Sequence, residues 1–347
     1  MRAVAKLAKA EASVGLIDAP EPQAGPGEVL IRVAAAGICG TDMAIYDWAP
    51  RMQNRVATPR ILGHEATGRI EAVGAGVDGL KAGDRVSLES HIFCGACRYC
   101  RRGDAHLCQH LGYPGISIDG GFADLVSVPA QIARVVPDML DDRIAAMIEP
   151  FGIAVHACMS QRGVSGKTVL VNGCGPIGLM TVAAARALGA LKIIAADPNP
   201  LRLEIAGRMG ADVAVDPSRQ DVAAVAKAET GGFGVDVGIE YSGVASGLDA
   251  VLASADRMSD IRLVAGPKQP HAIDVNALLR TGVSIYGIHG RRLWQDWDLG
   301  VGLLGSGRVD ISSLAEPVLP LEDAVAGFEA IKAGTALKPI LLPDGVL

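Results

Sequence analysis

The sequence predicts an α/β protein that combines a doubly wound parallel sheet with a second, antiparallel β domain. Three observations point to this fold class. Strand-like and helix-like segments alternate from residue 167 to about 288, the first 150 or so residues contain short alternating runs broken by glycine and proline, and four closely spaced cysteines mark a lobe within that first part. A chain of 347 residues has the length of about two domains, so each pattern is assigned to a domain of its own.

The elements of the second half follow one another as strand, turn and helix. Apolar, β-branched runs predict strands at 168–171, 191–196, 211–215, 235–241, 261–265 and 283–288. Helical patterns between them include 177–188 and 201–209, each followed by a glycine that suits a helix end. Because these strands are continuously apolar rather than alternating, we expect helices to cover both faces of their sheet.

The first half and the tail are predicted to form the other domain. Alternating runs at 29–35, 67–73 and 85–88 predict strands of an antiparallel sheet. In the tail we predict a helix near 321–333 and a short strand near 339–342, and we expect the tail to pack back on the first domain. The predicted domains are 1–152 together with 289–347, and 153–288.

Composition and charge exclude several classes of protein. Hydrophobic residues make up 50% and charged residues 20% of the chain, which argues against long disorder. Lys and Arg total 32 against 38 Asp and Glu, so the basic excess of a nucleic-acid-binding protein is missing. The N-terminus has no signal-peptide core, and the uncharged span 168–185 contains Asn172, Pro176 and three glycines, which argues against a membrane span. We expect a cytoplasmic protein that does not bind membranes.

A glycine-rich turn joins the first predicted strand of the second half to the helix that follows. Its sequence GCGPIG matches GxGxxG through Gly173, Gly175, Pro176, Ile177 and Gly178. Glycines here permit a tight turn, and they let the backbone approach a pyrophosphate that lies at the helix N-terminus. The alternative is a glycine-rich turn that binds no ligand, but the strand, turn and helix context favours a dinucleotide.

Further residues complete the predicted dinucleotide site. Asp197 ends the second strand, where its carboxylate can accept hydrogen bonds from both ribose hydroxyls and would repel a 2′-phosphate, which favours NAD over NADP. Arg202 is a candidate to flank the adenosine, with a solvated helix face as the alternative. Gly266 and Ile288 follow or end later strands, and we expect them to border the cofactor.

Four cysteines share one short stretch, Cys94, Cys97, Cys100 and Cys108, with the spacing CxxCxxCx7C. Four thiolates can enclose a tetrahedral zinc ion with no open position, which is typical of a structural site. An iron–sulfur cluster fits the first three spacings, but the bacterial pattern brings its fourth cysteine sooner and follows it with proline. Two disulfides are the metal-free alternative, which a reducing compartment disfavours.

Several motifs together carry a resemblance that covers essentially the whole chain. They are CGTD at 39–42, GHE at 63–65, GDRV at 83–86, the cysteine run at 91–108, EPFG at 149–152, GCGPIG at 173–178 and GIHGR at 287–291. In these motifs the chain resembles the zinc-dependent medium-chain dehydrogenase/reductase superfamily, and most closely its L-threonine 3-dehydrogenase and sorbitol dehydrogenase group. The resemblance implies a GroES-like β domain that carries the zinc lobe, a Rossmann domain, and an active site between them.

The resemblance also implies the roles of individual residues. Cys39, His64 and Glu149 would bind a catalytic zinc ion, and Glu65 would be an alternating ligand or a partner of the ligands. Zinc in that role would polarise the substrate oxygen and ease loss of its proton, and NAD would accept the hydride. Thr41 would contact the reacting hydroxyl and begin a proton path, with a plain turn residue as the alternative. The implied cofactors are NAD and two zinc ions per chain, one catalytic and one structural.

One position departs from the family pattern. Members of the group usually read CGTDxH, and the histidine passes a proton to solvent, whereas this chain has Ala44. The departure does not argue against dehydrogenase chemistry, but it weakens an assignment to L-threonine. Arg51, Arg55 and Arg60 follow this position and are candidates to meet a phosphate or carboxylate of the substrate, with a solvated loop as the alternative.

The sequence therefore predicts a zinc- and NAD-dependent oxidoreductase that acts on a secondary alcohol. The substrate is a polyol, a sugar derivative or L-threonine, and a phosphorylated polyol is a further alternative. Two other classes are a non-enzymatic nucleotide-binding protein, which the intact metal residues oppose, and a zinc-free quinone reductase that uses NADPH, which Asp197 and both metal motifs oppose. We expect a small-molecule alcohol as the only partner besides further copies of the chain in a homodimer or homotetramer.

Overall fold

This computed structural model describes residues 1–343, which contain both strands and helices; residues 344–347 of the predicted tail lie outside it. In chain order the strands are β1 (Arg2–Lys6), β2 (Val14–Asp18), β3 (Glu28–Gly37), β4 (Arg60–Ile61), β5 (Glu65–Val73), β6 (Arg85–Leu88), β7 (Leu125–Pro129), β8 (Ala133–Val135), β9 (Thr168–Asn172), β10 (Lys192–Ala196), β11 (Val213–Val215), β12 (Val235–Glu240), β13 (Ala255–Leu263), β14 (Ser284–Gly287), β15 (Val318–Pro320) and β16 (Ile340–Leu342).

The α-helices, in chain order, are α1 (Gly40–Tyr46), α2 (Arg98–Arg101), α3 (Asp142–Ala146), α4 (Ile148–Met159), α5 (Pro176–Ala187), α6 (Pro200–Arg208), α7 (Val222–Ala228), α8 (Ala245–Ser254), α9 (Val275–Thr281), α10 (Gln295–Gly305) and α11 (Ala324–Lys332). Short 3₁₀ turns lie at Ala105–Leu107, Ala130–Ile132, Ser312–Leu314 and Leu321–Asp323. No helix in the described part is long and apolar enough to cross a bilayer.

Two units divide these elements between them. The first comprises Met1–Pro150 and the chain from Ile311 onward, and the second comprises Phe151–Asp310. Residues 289–310, predicted to belong to the tail, lie in the second unit. The physical reason is the packing of α10, in which Trp297 is buried and Gly300 lies against the ring of Phe151.

The second unit contains a six-stranded parallel sheet in the order β11-β10-β9-β12-β13-β14. Apolar side chains from neighbouring strands, among them Leu170, Ile194 and Ile261, are fully buried in its core. The order reverses between β9 and β12, and ligands of doubly wound sheets bind in the crevice at that point, outside the carboxyl ends of the strands. The predicted fold class is confirmed.

One predicted strand of this sheet differs from the observed strand by more than two residues at an end. The strand predicted at 261–265 is β13, which begins six residues earlier at Ala255 and ends at Leu263. Its first residues carry exposed polar side chains such as Arg257, so the sequence lacks a continuous apolar run there. The early start comes from pairing of Ala255 with Val235 of β12.

The first unit is built on a seven-stranded sheet in the order β15-β16-β3-β5-β6-β8, with β7 also paired to β3. A smaller sheet, β2-β1-β4, lies beside it in the same unit. The tail reaches this unit through α11 and through β16, where Ile340 pairs with Gly37 of β3. The core is continuous from Ile31 and Val33 on β3 to Phe328 on α11.

Candidate metal and dinucleotide sites

Three predicted metal ligands lie together in the first unit because of how α1 and β5 begin. The Asp42 carboxylate accepts a hydrogen bond from the backbone N of Cys39 (3.0 Å), which places Cys39 at the start of α1. Glu65 pairs with Gly37, so the start of β5 lies beside the end of β3. As a result, ligand atoms of Cys39, His64 and Glu65 all lie within 4.8 Å of one another.

Asp42 dominates the surroundings of His64. Its Oδ1 lies 3.7 Å from His64 Nδ1, and both side chains are buried. Burial disfavours the imidazolium, but the negative charges of Asp42 and then Cys39 outweigh it and raise the pKa of His64 well above its ordinary value. For the Asp42 carboxylate, burial instead raises the pKa. Neither Asp42 Oδ1 nor His64 Nδ1 has a hydrogen-bond partner among residues 1–343.

Glu65 forms a buried ion pair with Lys338 from the tail. Lys338 Nζ contacts Glu65 Oε2 and also donates a hydrogen bond to the carbonyl oxygen of Ile38 (3.1 Å). The pair passes directly over Gly37, where a Cβ atom would lie 2.6 Å from Glu65 Oε2 and 3.1 Å from Lys338 Cε. Only glycine at position 37 therefore leaves room for the pair.

Glu149, Thr41 and Ala44 occupy different places around this cluster. Glu149 lies in the first turn of α4, accepts a hydrogen bond from Ser90 Oγ (2.5 Å), and its charge contributes to the raised pKa values of His64 and Glu65. Thr41 is half-buried in the first turn of α1. Ala44 is buried in the hydrophobic core. That Glu149 binds the metal ion remains a prediction, since the cluster within 4.8 Å comprises Cys39, His64 and Glu65.

The donor set fits a zinc ion with an open coordination position. A thiolate, an imidazole and a carboxylate are the ligand types of catalytic zinc sites. The site is also acidic, since the negative charges of Cys39, Asp42 and Glu149 act on His64, while the positive charge of Lys338 acts on Glu65. Asp42 Oδ1 and His64 Nδ1 are buried and have no hydrogen-bond partner among residues 1–343. Electrostatic attraction therefore stabilises a cation more strongly here than at the surface.

The four cysteines of the lobe also fit a single ion. All seven cysteines are free thiols. Cys97 Sγ lies 3.5 Å from Cys100 Sγ and 3.9 Å from Cys108 Sγ, and Cys94 Sγ lies 4.0 Å from Cys100 Sγ. Zinc–sulfur bonds of about 2.3 Å in a tetrahedron place the sulfur atoms about 3.8 Å apart, which agrees with these distances.

Backbone groups favour thiolates in this lobe. The backbone N atoms of Cys97 and Cys94 donate to Cys94 Sγ and Cys108 Sγ at 3.3 Å. Hydrogen bonds from the backbone of Cys100 and Gln109 lower the pKa of Cys97 to about 6. Burial, followed by the neighbouring thiol of Cys97, raises the pKa of Cys100 to about 12, so an ion is needed for all four to ionise together.

The three glycines of the predicted dinucleotide turn differ in what a Cβ atom would meet at each position. Gly173 has a φ of +97°, and a Cβ there would lie 2.7 Å from Ser242 N. A Cβ at Gly178 would lie 2.0 Å from the carbonyl oxygen of Gly173. A Cβ at Gly175 would meet nothing within 4 Å, so this glycine leaves open space just before α5, where a pyrophosphate would approach.

A cavity of about 610 Å³ opens at this turn in the second unit, and its lining includes Gly173, Gly175, Asp197 and Arg202. Asp197 is buried, and its carboxylate accepts hydrogen bonds from the backbone N atoms of Cys174 (2.8 Å) and Asn199 (2.9 Å). Arg202 Nη1 lies 3.6 Å from Asp197 Oδ2.

The other predicted cofactor residues lie at the start of α5 and after the strands β13 and β14, and none of them is among the residues that line the cavity. Pro176 and Ile177 open α5. Ile288 is buried, and its backbone N–H donates a hydrogen bond to the carbonyl oxygen of Leu263 at the end of β13 (2.8 Å). Gly266 lies after β13, where its carbonyl oxygen would be 3.6 Å from a Cβ at Gly243.

Several residues of these sites are not predicted from the sequence. Asp42 belongs to the CGTD motif, but the motif does not show that its carboxylate lies beside the imidazole of His64. Lys338 and Ser90 carry no local signal. Asn172 and Glu240 are polar residues that end apolar strands, and this pattern is the signal that could have drawn attention to them.

Comparisons with known proteins agree with the geometry. Family profiles match over residues 25–138, described as the alcohol dehydrogenase GroES-like domain, and over residues 176–305, described as zinc-binding dehydrogenase. The L-threonine 3-dehydrogenase of Shewanella putrefaciens is 39% identical over 99% of this chain and 100% of its own length.

Solved structures give the same result. The 2R,3R-butanediol dehydrogenase of Bacillus subtilis superposes with a TM-score of 0.90 at 30% identity, covering 99% of both chains. The alcohol dehydrogenase rspB of Escherichia coli CFT073, solved with the cofactor NADH, superposes with a TM-score of 0.91 at 28% identity, again over 99% of both chains.

Proposed function

The chain belongs to the zinc-dependent medium-chain dehydrogenase/reductase superfamily, and on this basis we propose that it oxidises a secondary alcohol by transferring a hydride to NAD. The observation that carries the proposal is the cluster of half-buried Cys39 with buried His64 and Glu65, whose donor types suit zinc with an open position. The cavity beside Gly175, in the other unit, suits the dinucleotide.

Different residues of the cluster would bind the metal ion and orient its ligands. When bound, zinc supplies a Lewis acid that polarises the alcohol oxygen and eases loss of its proton near neutral pH. Cys39 and His64 would hold the ion together with Glu149, and Asp42 would orient the imidazole by facing its Nδ1 atom. Glu65 would exchange between the ion and its pair with Lys338.

Proton removal would begin at Thr41. Its Oγ1 would take the hydroxyl proton of the alcohol as its own hydroxyl proton passes on to water, and its half-buried position leaves a route to solvent. Ala44 lies in the hydrophobic core and offers no acceptor. We therefore assign the next step to water rather than to a histidine of this helix.

The second unit would hold the cofactor. The N-terminus of α5 would face the pyrophosphate, with the space beside Gly175 occupied by the phosphate oxygens. Asp197 would bind the adenosine ribose and disfavour a 2′-phosphate, which supports NAD rather than NADP. Bound NAD supplies the hydride acceptor.

Two observations bear on the substrate. The 39% identity to an L-threonine 3-dehydrogenase over the whole chain makes L-threonine the first candidate. The structural likeness to a butanediol dehydrogenase, together with Ala44, supports a diol or polyol as the second. A phosphorylated polyol would need a cation for its phosphate, and Arg55, which is exposed beside the Tyr113 ring, is better placed for this than Arg60, which pairs with Asp119.

The test is NADH formation by zinc-loaded protein with L-threonine, 2R,3R-butanediol, unmodified polyols and phosphorylated polyols. We expect turnover with at least one of them, strongly reduced turnover with NADP, and none in Cys39→Ala. Cys158→Ala is the matched control, since it removes a buried thiol of the second unit that is outside the metal cluster. No turnover with any secondary alcohol by zinc-loaded protein that binds NADH would refute the proposal.

A further inference from the structure

Glu240 is a fully buried carboxylate that the proposed mechanism does not use. It is the last residue of β12 and is 0% exposed. It pairs in register with Asn172, the last residue of β9. These two strands are the neighbours between which the order of the sheet reverses, so Glu240 lies at the crevice where a doubly wound sheet binds its ligand.

Three hydrogen-bond donors converge on this carboxylate. Asn172 Nδ2 donates to Glu240 Oε2 (2.6 Å), while the Ser242 hydroxyl and the backbone N of Gly243 (2.9 Å) donate to Oε1. A carboxylate can accept hydrogen bonds on both oxygens, as these three contacts require, and the backbone N of Gly243 can only donate. The side chain of Glu240 therefore joins Asn172, at the end of β9, to the turn that follows β12.

The groups that Glu240 holds form part of the wall of the dinucleotide cavity. Asn172 and Ser242 both line it, as do Gly173 and Gly247. The fit between them is tight, since a Cβ at Gly173 would lie 2.7 Å from Ser242 N and one at Gly247 would lie 2.1 Å from Ser242 Oγ. A shift of the turn after β12 would therefore disturb the glycine-rich turn after β9.

We propose that Glu240 is a positioning residue for dinucleotide binding. Its carboxylate ties the end of β9 to the turn after β12 through hydrogen bonds, so that the cavity is already shaped for the pyrophosphate and ribose before the ligand arrives. The inference rests on the proposed function insofar as the ligand is a nicotinamide dinucleotide. The carboxylate of Glu240 would repel the anionic ligand, but Glu240 favours binding because it fixes the geometry of the cavity wall.

The test compares Glu240→Gln with Asp236→Asn in zinc-loaded, full-length protein. Asp236 is a matched control because it also links β12 to β9, by accepting a hydrogen bond from the backbone N of Thr168 (2.8 Å). It lies at the opposite end of the strand, about 13 Å away along β12 at 3.3 Å per residue. NADH affinity is measured by fluorescence titration, alongside the thermal unfolding midpoint and steady-state kinetics.

We expect Glu240→Gln to raise the Kd for NADH at least tenfold. The side-chain NH2 of glutamine would replace one carboxylate oxygen and would face a group that now donates to that oxygen. The KM for NAD should rise in parallel, with kcat at saturating NAD within about threefold of the parent. Asp236→Asn should leave the Kd within twofold. Glu240→Asp provides a second variant: it keeps the charge but cannot reach all three donors, so its Kd should also rise.

Three results would overturn the proposal. The first is a Kd for NADH of Glu240→Gln that is equal to or lower than that of the parent. The second is an equal loss of NADH affinity in Asp236→Asn. The third, if the glutamine variant does not fold, is parent-like NADH binding by Glu240→Asp. Failure of the parent itself to bind NADH would instead refute the proposed function, so the two failures are distinguishable.

Discussion

Replacing Lys338 by methionine tests the buried ion pair beneath the metal cluster. Lys338 is 2% exposed and Glu65 is 0% exposed, so water cannot replace either partner. Methionine keeps the length of the side chain and removes its charge. Glu65 Oε1 has no hydrogen-bond partner within residues 1–343, so the carboxylate is left with little to offset its charge.

The expected loss follows from this burial. Removing one partner of a buried pair costs about 3–5 kcal/mol, because the remaining charge is uncompensated. At about 2–4 °C per kcal/mol for a unit of this size, the Tm should fall by roughly 6–20 °C. Exposed pairs contribute about 1 kcal/mol or less, so Lys332→Met is a matched control: Lys332 pairs with Glu11 at 2.9 Å, but their side chains are 44% and 62% exposed.

The loss should depend on pH and on metal. Burial already raises the pKa of Glu65 above its ordinary value, and loss of Lys338 would raise it further. A carboxyl group with a raised folded-state pKa destabilises fully above that pKa, and the cost disappears as the pH falls towards the pKa of the unfolded chain. The Tm difference between variant and parent should therefore shrink on acidification, and zinc should also reduce it by supplying a cation.

Thermal unfolding of metal-free and zinc-loaded protein measures these effects, with Lys338→Met, Glu65→Gln and the double variant forming a cycle. We expect the double variant to lose clearly less stability than the sum of the single variants. A loss below about 1 kcal/mol for metal-free Lys338→Met, similar to the exposed control, would contradict the reasoning, as would exact additivity.

Three further predictions concern the metals, the thiols and the glycine-rich turn. Elemental analysis should find two zinc ions per parent chain and one in Cys39→Ala; a single ion in the parent would remove one of the two sites. After zinc removal, iodoacetamide at neutral pH should label Cys97, whose pKa is lowered to about 6, but not Cys174, whose pKa burial raises to about 12; peptide mapping that finds the reverse would contradict these environments. Gly175→Ala should fold with an unchanged Tm yet lose NADH affinity, whereas Gly178→Ala should lose both; NADH titration showing normal binding by Gly175→Ala would mean that the open space is not used by the ligand.

The features that the sequence predicts well are those encoded by neighbouring residues. The first two strands and helices of the parallel sheet agree with prediction to within one residue, because an apolar run and a glycine stop mark their limits. The cysteine cluster of the lobe follows from its spacing alone. The metal cluster of Cys39, His64 and Glu65 does not, because its members are far apart in sequence, and the resemblance to a family was needed to suggest it.

The features that the sequence does not predict depend on tertiary contacts. Lys338 resembles any exposed lysine in the sequence, and only the pairing of β16 with β3 brings it over Gly37 to Glu65. The assignment of 289–310 depends in the same way on the packing of α10 against Phe151. A local pattern cannot state which buried surface an element will meet.

The shifts around the metal cluster have a common cause. The pKa values of Asp42, His64 and Glu65 are all raised, because each of these groups gains from holding a proton in a buried, acidic site. Lys338 offsets only part of this negative charge. Protons and a divalent cation are then alternative means of neutralising the same groups, so metal affinity must fall as the pH falls. The same electrostatic field that destabilises the free cluster is what makes it selective for a cation over any neutral ligand.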